Sequence, residues 1–242
     1  MLVDFCLPVK DEELILEANA LKIYEHLNSQ DTNYDWRIVI IVNGSKDSSY
    51  QIAQELEKKF PNFFKAKNIE RGGKSLALKE YFKESCADIL SFMDIDLAVS
   101  LNSVIDLIDP ILKNQADLVI GSRLLPDSRI DRSNLREFGS KNYNRLSRIL
   151  FKNNIRDLQC GFKAFKKEVY SKIENLLQDD KWFFDTELVI LADYFGYKIK
   201  EIPVDWKESR YFERESKVRK IEAYHFVKKL LNFKKYVESL KK

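Results

Sequence analysis

The sequence predicts an α/β fold with a mostly parallel, doubly wound sheet and helices on both of its faces. From Leu2 to Gly121, short apolar runs rich in β-branched residues alternate with longer segments of helical periodicity. This alternation is typical of parallel sheets, which bind ligands at the carboxyl ends of their strands. The 242 residues are 45% hydrophobic and 12% aromatic, so the chain can form a sizeable packed core.

Each element follows from a local pattern. The predicted strands are Leu2–Leu7, Arg37–Val42, Phe63–Lys67, Asp88–Met93 and Asp117–Gly121. The predicted helices are Asp11–Ser29, Ser48–Phe60, Lys74–Lys83, Ser100–Asn114 and Asn134–Phe151. The strands are short and apolar, whereas helical segments repeat apolar residues at helical spacing, as Leu14, Ala18 and Leu21 do.

Asp94 and Asp96 directly follow the apolar strand Asp88–Met93. Residues two apart in an extended chain point to the same side, so both carboxylates can face one Mg²⁺ or Mn²⁺ while Ile95 faces the core. Such an ion usually takes one or two protein carboxylates and completes its shell with water and phosphate oxygens. The pair therefore predicts a metal-held diphosphate, and a solvated strand end is the alternative.

Composition excludes several other kinds of site. Cys6, Cys86 and Cys160 are scattered without metal-ligand spacing, which predicts reduced thiols rather than disulfides. With His26 and His225 as the only histidines, a histidine triad or zinc site is not expected. No apolar run approaches the ~18 residues of a membrane span, and the amino terminus lacks a signal-peptide pattern, so we expect a cytosolic protein.

The net charge of +3 is unevenly distributed. Residues 217–242 carry nine Lys or Arg against two Glu, a charge of +7 that leaves −4 for the rest. Their apolar residues recur near helical spacing, which predicts a basic amphipathic helix over 216–242 after a domain of 1–215. This helix either packs on the domain, lies peripherally on the cytosolic face of an anionic membrane, or binds a partner; nucleic acid is not expected.

Eight short motifs occur in an order that resembles the family 2 glycosyltransferases of GT-A fold. They are most similar to the branch that transfers sugars to polyprenyl phosphates, such as dolichyl-phosphate β-glucosyltransferases. The motifs are Pro8-Val9-Lys10-Asp11-Glu12, Asn43-Gly44-Ser45-Lys46-Asp47, Arg71-Gly72-Gly73-Lys74, Asp94-Ile95-Asp96, Gly121-Ser122-Arg123, Asp157-Leu158-Gln159-Cys160-Gly161-Phe162, Phe184-Asp185-Thr186-Glu187 and Glu201-Ile202-Pro203-Val204-Asp205-Trp206.

The resemblance implies a donor site for a nucleotide-diphosphate sugar. Asp96 would be the direct metal ligand, and Asp94 would contact ribose or metal. The implied nucleotide-binding residues are Pro8, Val9, Glu12, Asn43, Ser45, Asp47, Arg71, Gly73, Lys74 and Asp94. Asn43 stands where the family has an aspartate that precedes the glycine, so a uridine and a guanosine donor both remain open. Asp11 or Glu12 could alternatively cap the following helix.

The resemblance also implies an acceptor site. Arg123, Arg136 and Ser140 would bind an acceptor phosphate, since arginine suits bidentate phosphate contacts. Gln159, Cys160, Gly161 and Phe162 would line the sugar pocket. A phosphate acceptor is already largely ionised and needs no general base. Asp185 and Glu187 are the candidate bases for a hydroxyl acceptor, and Asp157 could orient either acceptor.

The sequence thus predicts an inverting, metal-dependent hexosyltransferase that acts on a polyprenyl or dolichyl phosphate, with glucose as the preferred sugar. One alternative is a family 2 enzyme that glycosylates a glycan hydroxyl. An alternative of another class is a non-catalytic nucleotide-sugar-binding protein.

Overall fold

The computed structural model describes residues 1–131, 134–207 and 220–240, without the side chains of 134–136 and 220–224. Its strands are β1 (Leu2–Val9), β2 (Asp35–Asn43), β3 (Phe64–Ile69), β4 (Ile89–Phe92), β5 (Leu118–Ser122), β6 (Arg129–Asp131), β7 (Lys163–Lys166), β8 (Ile199–Pro203) and β9 (Asp205–Lys207). Its helices are α1 (Glu13–Asn28), α2 (Ser49–Lys59), α3 (Lys74–Glu84), α4 (Ser103–Leu112), α5 (Asn134–Phe151), α6 (Lys167–Ile173), α7 (Phe184–Tyr194) and α8 (Lys220–Ser239), with a 3₁₀ turn at Glu174–Leu176.

Seven strands form one sheet in the order β3-β2-β1-β4-β7-β5-β8. β7 runs antiparallel to both of its neighbours, and the other neighbouring pairs are parallel. Strands β6 and β9 form a separate parallel pair. The predicted class, a mostly parallel sheet with helices on both faces, is confirmed.

Alternation along the strands divides the core between the two faces of the sheet. Ile38 and Ile40 pack with α1, α2 and α4, whereas Val39 and Ile41 pack with α3, α6 and α7. Central strands buried on both faces read as continuous apolar runs, and this explains why β2 could be recognised from its sequence. The carboxyl ends of the parallel strands meet at one edge of the sheet, and we call this edge the reaction edge.

Six of the shorter strands and helices, and the 3₁₀ turn, lie outside the sequence predictions. The six are β6, β7, α6, α7, β8 and β9. β7 has only four residues and begins and ends with lysine, and α7 has buried acids in its first turn, so neither shows a clear apolar period. The sequence predicted motifs in α7, β8 and β9 but no secondary structure there.

Helix α8 packs on the domain. Phe233 lies against the rings of Phe151 and Phe183, and Leu230, Phe233 and Val237 are buried. The packed-helix alternative therefore describes the apolar face of α8. The boundary proposed between 215 and 216 lies outside the described residues and stays a prediction. Among the parts of the chain with described structure, no helix combines the length and apolar character needed to cross a bilayer.

Candidate functional site

A cleft of about 430 Å³ opens at the reaction edge, where β1, β2 and β4 end. Three acids, three lysines and two glycines line it, and the rest of its wall is largely apolar. The lining residues are Pro8, Lys10, Glu12, Asn43, Gly72, Gly73, Lys74, Asp94, Ile95, Asp96, Lys181 and Trp182. Both the aspartates and the glycine bend that the sequence singled out therefore face one space.

Asp94 and Asp96 differ in their surroundings. The Asp94 side chain is 48% exposed, and its Oδ1 accepts a hydrogen bond of 2.5 Å from Lys74 Nζ. Asp96 Oδ1 accepts the backbone N–H of Ala98 at 3.0 Å. Burial, and next the charge of Asp94, raise the pKa of Asp96 to about 6. The site therefore holds two adjacent carboxylates whose repulsion a cation would relieve.

These residues fit a divalent ion that takes few protein ligands. Within the described ranges, no three His, Cys, Asp or Glu side chains converge as a complete metal site. Mg²⁺ and similar ions commonly use one or two carboxylates and leave the remaining positions to water and substrate phosphates. Asp96 and Asp94 match that donor set, with open space beside them in the cleft.

The turn before α3 brings Lys74 into this cleft. Gly73 has φ +156°, and a Cβ there would come within 2.7 Å of the Asp180 carbonyl oxygen, so the bend requires glycine. Burial opposes the charge of Lys74, but Asp94 and Asp185 outweigh it and raise the pKa of Lys74. Arg71, by contrast, pairs with Asp180 outside the cleft lining. Its predicted nucleotide contact stays a prediction.

Side chains of the β2–α2 turn hold it to the β1–α1 turn. Asn43 Nδ2 donates to the Val9 carbonyl at 2.7 Å, and its Oδ1 accepts the Gly73 N–H at 3.1 Å. Ser45 Oγ accepts the N–H of Asp11 at 3.0 Å. Asn43 therefore joins the ends of β1 and β2 to the glycine bend, and this contact explains its burial.

Asp47 completes the same connection. Its carboxylate accepts the backbone N–H groups of Glu13 and Ser49 at 3.0 and 3.1 Å. Burial opposes ionisation, but the hydrogen bonds from Ser49 and Glu13 lower the pKa of Asp47. Glu12 is the N-cap residue of α1, but its side chain makes no cap hydrogen bond, and Asp11 Oδ1 accepts the Lys46 N–H at 2.9 Å. Of the predicted nucleotide residues here, Pro8, Glu12 and Asn43 line the cleft; nucleotide contacts of Val9, Ser45 and Asp47 stay predictions.

The segment 157–162 lies next to two residues of the cleft lining, Asp94 and Lys74. Phe92 of β4 pairs with Lys163 of β7, so the residues before β7 lie beside Asp94. A Cβ on Gly161 would come within 2.8 Å of Asp94 Oδ2 and 2.9 Å of Lys74 Nζ. Gly161 thus lets the backbone approach both functional side chains.

The neighbours of Gly161 are mostly core residues. Cys160 and Phe162 are each 1% exposed, and burial raises the pKa of the Cys160 thiol to about 11. The Gln159 N–H donates to Asp157 Oδ1 at 3.2 Å. The predicted contacts of Gln159, Cys160 and Phe162 with a sugar remain predictions, and Gly161 is the member of this set that touches Asp94.

Arg123 and Asp157, assigned separately from the sequence, form one buried pair. Arg123 Nε donates to Asp157 Oδ2 at 2.7 Å and its Nη2 donates to Oδ1 at 3.0 Å. The Asp157 side chain is fully buried and that of Arg123 is 14% exposed. Burial alone would raise the pKa of Asp157, but Arg123 lowers it. The pair fixes the start of segment 157–162 against the end of β5.

Asp185 has a buried cationic partner that the sequence did not single out. Lys163 Nζ lies 2.5 Å from Asp185 Oδ1 and donates to the Cys160 carbonyl at 2.5 Å. The Lys163 side chain is fully buried. A lysine within the apolar run Phe162–Phe165 was the signal for this pair, because a lysine there needs a buried partner.

Glu187 supports a loop that forms part of the cleft wall. Its Oε2 accepts the backbone N–H groups of Gln178 and Asp179, each at 3.0 Å. Burial raises the pKa of Glu187. The same loop continues to Lys181 and Trp182, which line the cleft. The Trp182 ring centroid lies 5.6 Å from Lys74 Nζ, and Trp182 is 52% exposed. The sequence did not assign this loop, and its mixture of acids and aromatic residues was the available signal.

The predicted acceptor phosphate residues are only partly described. Ser140 lies on α5, and Asn144 one turn later donates to the Ser140 carbonyl at 3.0 Å. Asn144 Oδ1 also accepts the Leu158 N–H at 3.0 Å, which links α5 to segment 157–162. Arg136 lies on the same helix, but its side chain is outside the described residues. Convergence of Arg123, Arg136 and Ser140 on a phosphate stays a prediction.

Residues 4–174 match the family described as Glycosyl transferase family 2. The chain belongs to this family. The resemblance drawn from its motifs is therefore confirmed.

Individual relatives agree. The chain is 30% identical to glycosyltransferase AglD of Haloferax volcanii over 205 residues, covering 85% of this chain and 33% of that protein. It is 31% identical over 209 residues to dolichyl-phosphate beta-glucosyltransferase ALG5A of Trichomonas vaginalis, covering 83% and 64%. It is also 31% identical over 212 residues to dolichyl-phosphate beta-glucosyltransferase of Dictyostelium discoideum, which covers 83% of this chain and 65% of that protein. The match thus spans about a third to two thirds of the length of these relatives.

Solved structures share the fold at lower identity. Glucosyl-3-phosphoglycerate synthase from Mycobacterium tuberculosis, in complex with uridine diphosphate, superposes with a TM-score of 0.69 at 17% identity. The match covers 95% of this chain and 79% of that one. The same enzyme is also solved with Mn²⁺, uridine diphosphate and phosphoglyceric acid, where the TM-score is 0.66.

Proposed function

We propose that the chain transfers a hexose, preferably glucose, from a nucleoside-diphosphate sugar to a polyprenyl or dolichyl phosphate, with inversion at the anomeric carbon. The observation that carries this proposal is that Asp94, Asp96 and Lys74 line one cleft at the reaction edge, with Gly161 packed closely against Asp94 and Lys74. The relatives named dolichyl-phosphate beta-glucosyltransferase support both the sugar and the acceptor.

The donor side of the cleft suits a diphosphate that gains charge as it leaves. Lys10, Lys74 and Lys181 line the space next to Asp94 and Asp96. A divalent ion held by Asp96, with Asp94, would act there as a Lewis acid and stabilise the departing diphosphate by several kcal/mol. Structures of the M. tuberculosis enzyme with uridine diphosphate and Mn²⁺ support a uridine donor and that ion.

A phosphate acceptor fits the acceptor side better than a sugar hydroxyl. A hydroxyl needs a general base within reach, whereas a phosphomonoester with a second pKa near ~6 is largely ionised at neutral pH. Both candidate bases are engaged, Asp185 by Lys163 and Glu187 by two backbone N–H groups. Asp157, the candidate for orienting the acceptor, is engaged by Arg123.

The reaction is one displacement. An oxygen of the acceptor phosphate forms a bond to the anomeric carbon as the bond from that carbon to the β-phosphate oxygen breaks. The electron pair leaves with the nucleoside diphosphate, and no proton need be removed from the acceptor. Inversion requires the acceptor oxygen to approach the anomeric carbon on the face opposite the departing diphosphate, and Arg123, Arg136 and Ser140 would hold the acceptor phosphate for that approach.

The proposal is tested with the full chain, Mn²⁺ or Mg²⁺, radiolabelled UDP-glucose and a short polyprenyl phosphate. We expect label to enter the lipid phosphate fraction. Asp96→Asn should lower the rate by at least roughly 100-fold, because it removes the charge that holds the ion. Asp106→Asn is the matched control, since Asp106 is an exposed aspartate on α4 away from the cleft lining.

Other outcomes decide against specific parts of the proposal. Transfer to glycans but not to the polyprenyl phosphate would favour the hydroxyl acceptor. Transfer from GDP-sugars alone would replace the uridine donor. Nucleotide binding without turnover of any acceptor would favour a non-catalytic protein.

A further inference from the structure

The outer face of α5 exposes two large apolar side chains. Phe138 is 69% and Ile149 is 66% exposed, although large apolar residues of this kind are usually buried. They are eleven positions apart, three helical turns, and therefore lie on the same face of the helix. The inner face of α5 is packed: Tyr143 and Asn144 are buried against α7 and segment 157–162.

Cations fill the positions between and beside these two residues. Lys141, Arg145 and Arg148 recur at intervals of four and three on α5, Lys152 follows directly after the helix ends, and none of residues 138–152 is acidic. Arg145 and Lys152 are exposed, and the Lys141 side chain is 61% exposed, although it also pairs with Glu137. We call Phe138, Lys141, Arg145, Arg148, Ile149 and Lys152 the α5 stripe.

Apolar side chains among cations match the surface of an anionic bilayer. The rings and branched chains can enter the acyl boundary while lysine and arginine remain with the phosphate headgroups. A basic residue close to such a surface contributes ~1 kcal/mol of binding. A surface that binds a protein partner would be expected to present a larger apolar patch than two separated residues.

The stripe is connected to both the candidate site and α8. The inner face of α5 carries Asn144, which bonds to segment 157–162 beside Asp94. Helix α8 packs next to α5 through Phe151 and Phe233, and Lys234 Nζ lies 5.6 Å from the Phe151 ring centroid. α8 also exposes Leu231 (44%) and Lys235.

We propose that the α5 stripe is a docking surface for a membrane that contains anionic lipid, and that it sets the orientation in which the chain meets its acceptor. The choice of a bilayer as occupant rests on the proposed function, because a polyprenyl phosphate resides in one. The stripe, and not α8 alone, then makes the principal contact, and a lipid-borne phosphate approaches segment 157–162 along α5.

The full chain is tested by co-sedimentation with phosphatidylcholine vesicles that contain or lack phosphatidylglycerol. We expect binding to the anionic vesicles that weakens as salt increases. Arg145→Gln with Arg148→Gln should lower the partition coefficient by roughly 30-fold, since two cations leave the surface. Phe138→Ser with Ile149→Ser should lower it by roughly tenfold or more.

Matched controls replace the same kinds of exposed side chain on other helices. Lys58→Gln with Lys83→Gln removes two exposed cations from α2 and α3, and Leu14→Ser removes an apolar residue that is 72% exposed on α1. We expect each control to change the partition coefficient by less than about threefold, because these residues lie away from the contact. Far-ultraviolet circular dichroism and thermal unfolding verify that every variant is folded.

The proposal is overturned if the wild-type chain does not bind anionic vesicles, or if the stripe variants bind as the controls do. It is also overturned if the wild-type chain is a dimer in solution that Phe138→Ser with Ile149→Ser dissociates, because a second copy would then cover the stripe. Transfer to a short, water-soluble prenyl phosphate separates the two claims. If that transfer persists while vesicle binding fails, the proposed function stands without this surface.

Discussion

The charged side chains of the proposed donor side and of the proposed acceptor side differ in exposure. On the proposed donor side, at the ends of β1, β2 and β4, the Asp94 side chain is 48% exposed and Lys10 lines open space. On the proposed acceptor side, which consists of residues 121–123, 157–163 and α7 outside the cleft lining, Asp157 and Lys163 are fully buried in ion pairs. Both sides carry motif residues of the family, but only the proposed donor side presents most of them to the cleft.

This difference indicates two ways in which a residue serves the site. Asp94, Asp96 and Lys74 can interact with a substrate directly. Asp157 and Asp185 instead hold the backbone of segment 157–163, which brings Gly161 against Asp94. The same substitution, aspartate to asparagine, should therefore affect stability on the acceptor side and activity on the donor side.

The largest effect on stability is expected for Asp157→Asn. It leaves Arg123 as a buried cation without its anionic partner, which should lower the free energy of unfolding by ~3–5 kcal/mol. Urea denaturation followed by circular dichroism measures this change, with the exposed Asp106→Asn as the control. A loss below about 1 kcal/mol would show that the Arg123–Asp157 pair does not stabilise the acceptor side.

The same pair predicts a pH dependence. The pKa of Asp157 lies below its ordinary value of 3.8 in the folded chain. Its ionised form therefore adds stability above that pH, and this stability is lost as the pH falls through the folded pKa. Wild type should lose more stability than Asp157→Asn when urea denaturation is repeated at progressively lower pH below 3.8.

Glu187→Ala should have the next largest effect. It removes the acceptor for the N–H groups of Gln178 and Asp179, a change worth ~1–3 kcal/mol of stability. Because the same loop places Lys181 and Trp182 in the cleft, KM for the nucleotide sugar should rise as well. Glu187→Gln keeps one acceptor oxygen, so its free energy of unfolding and its KM should lie between those of wild type and Glu187→Ala. Equal effects of the two variants would contradict this role of Glu187.

Gly161→Ala tests the contact between the two sides. The added Cβ would meet the ends of the Asp94 and Lys74 side chains, which can move aside, so stability should change little. The displaced functional groups should lower kcat by about tenfold. Gly139→Ala is the matched control: nothing lies within 4 Å of a Cβ there, and alanine in the helix should stabilise the chain by ~0.5–1 kcal/mol.

The smallest stability effect is expected for Asp96→Asn, although the same change should lower the rate by at least roughly 100-fold in the assay above. The change removes repulsion with Asp94, and the free energy of unfolding without metal should stay within about 1 kcal/mol of wild type. Thermal unfolding with and without Mn²⁺ checks this. A destabilisation as large as that of Asp157→Asn would remove the distinction between the two sides.

Much of the fold could be predicted because its first half repeats one pattern. Strands β1, β2, β4 and β5 are apolar, β3 alternates apolar and polar residues, and the helices between them have helical periodicity, so their order and approximate bounds follow from the sequence. β7 could not be predicted. It pairs through the sheet with residues 71 and 47 positions away, Phe92 with Lys163 and Leu118 with Phe165, and local propensity does not encode such long-range pairing.

The candidate site was predictable to the extent that its residues are adjacent in sequence. Asp94 and Asp96, two residues apart on a strand end, needed only strand geometry. Arg123 and Asp157 are 34 residues apart, and Lys163 and Asp185 are 22 apart. The sequence identified Arg123, Asp157 and Asp185 as family positions. It could not reveal that these side chains form ion pairs within the chain, because the pairing depends on which elements the fold brings together.

The reversed direction of β7 determines where the chain tolerates added length. Because β7 is antiparallel, residues 152–162 enter the sheet at the reaction edge, so an insertion there would disturb the neighbourhood of Asp94. The connections 29–34, 113–117 and 195–198 lie at the opposite edge, where surface turns accept extra residues at low cost in loop-closure entropy. Fluorescent tags or circular-permutation junctions placed in those three connections should therefore leave the cleft intact.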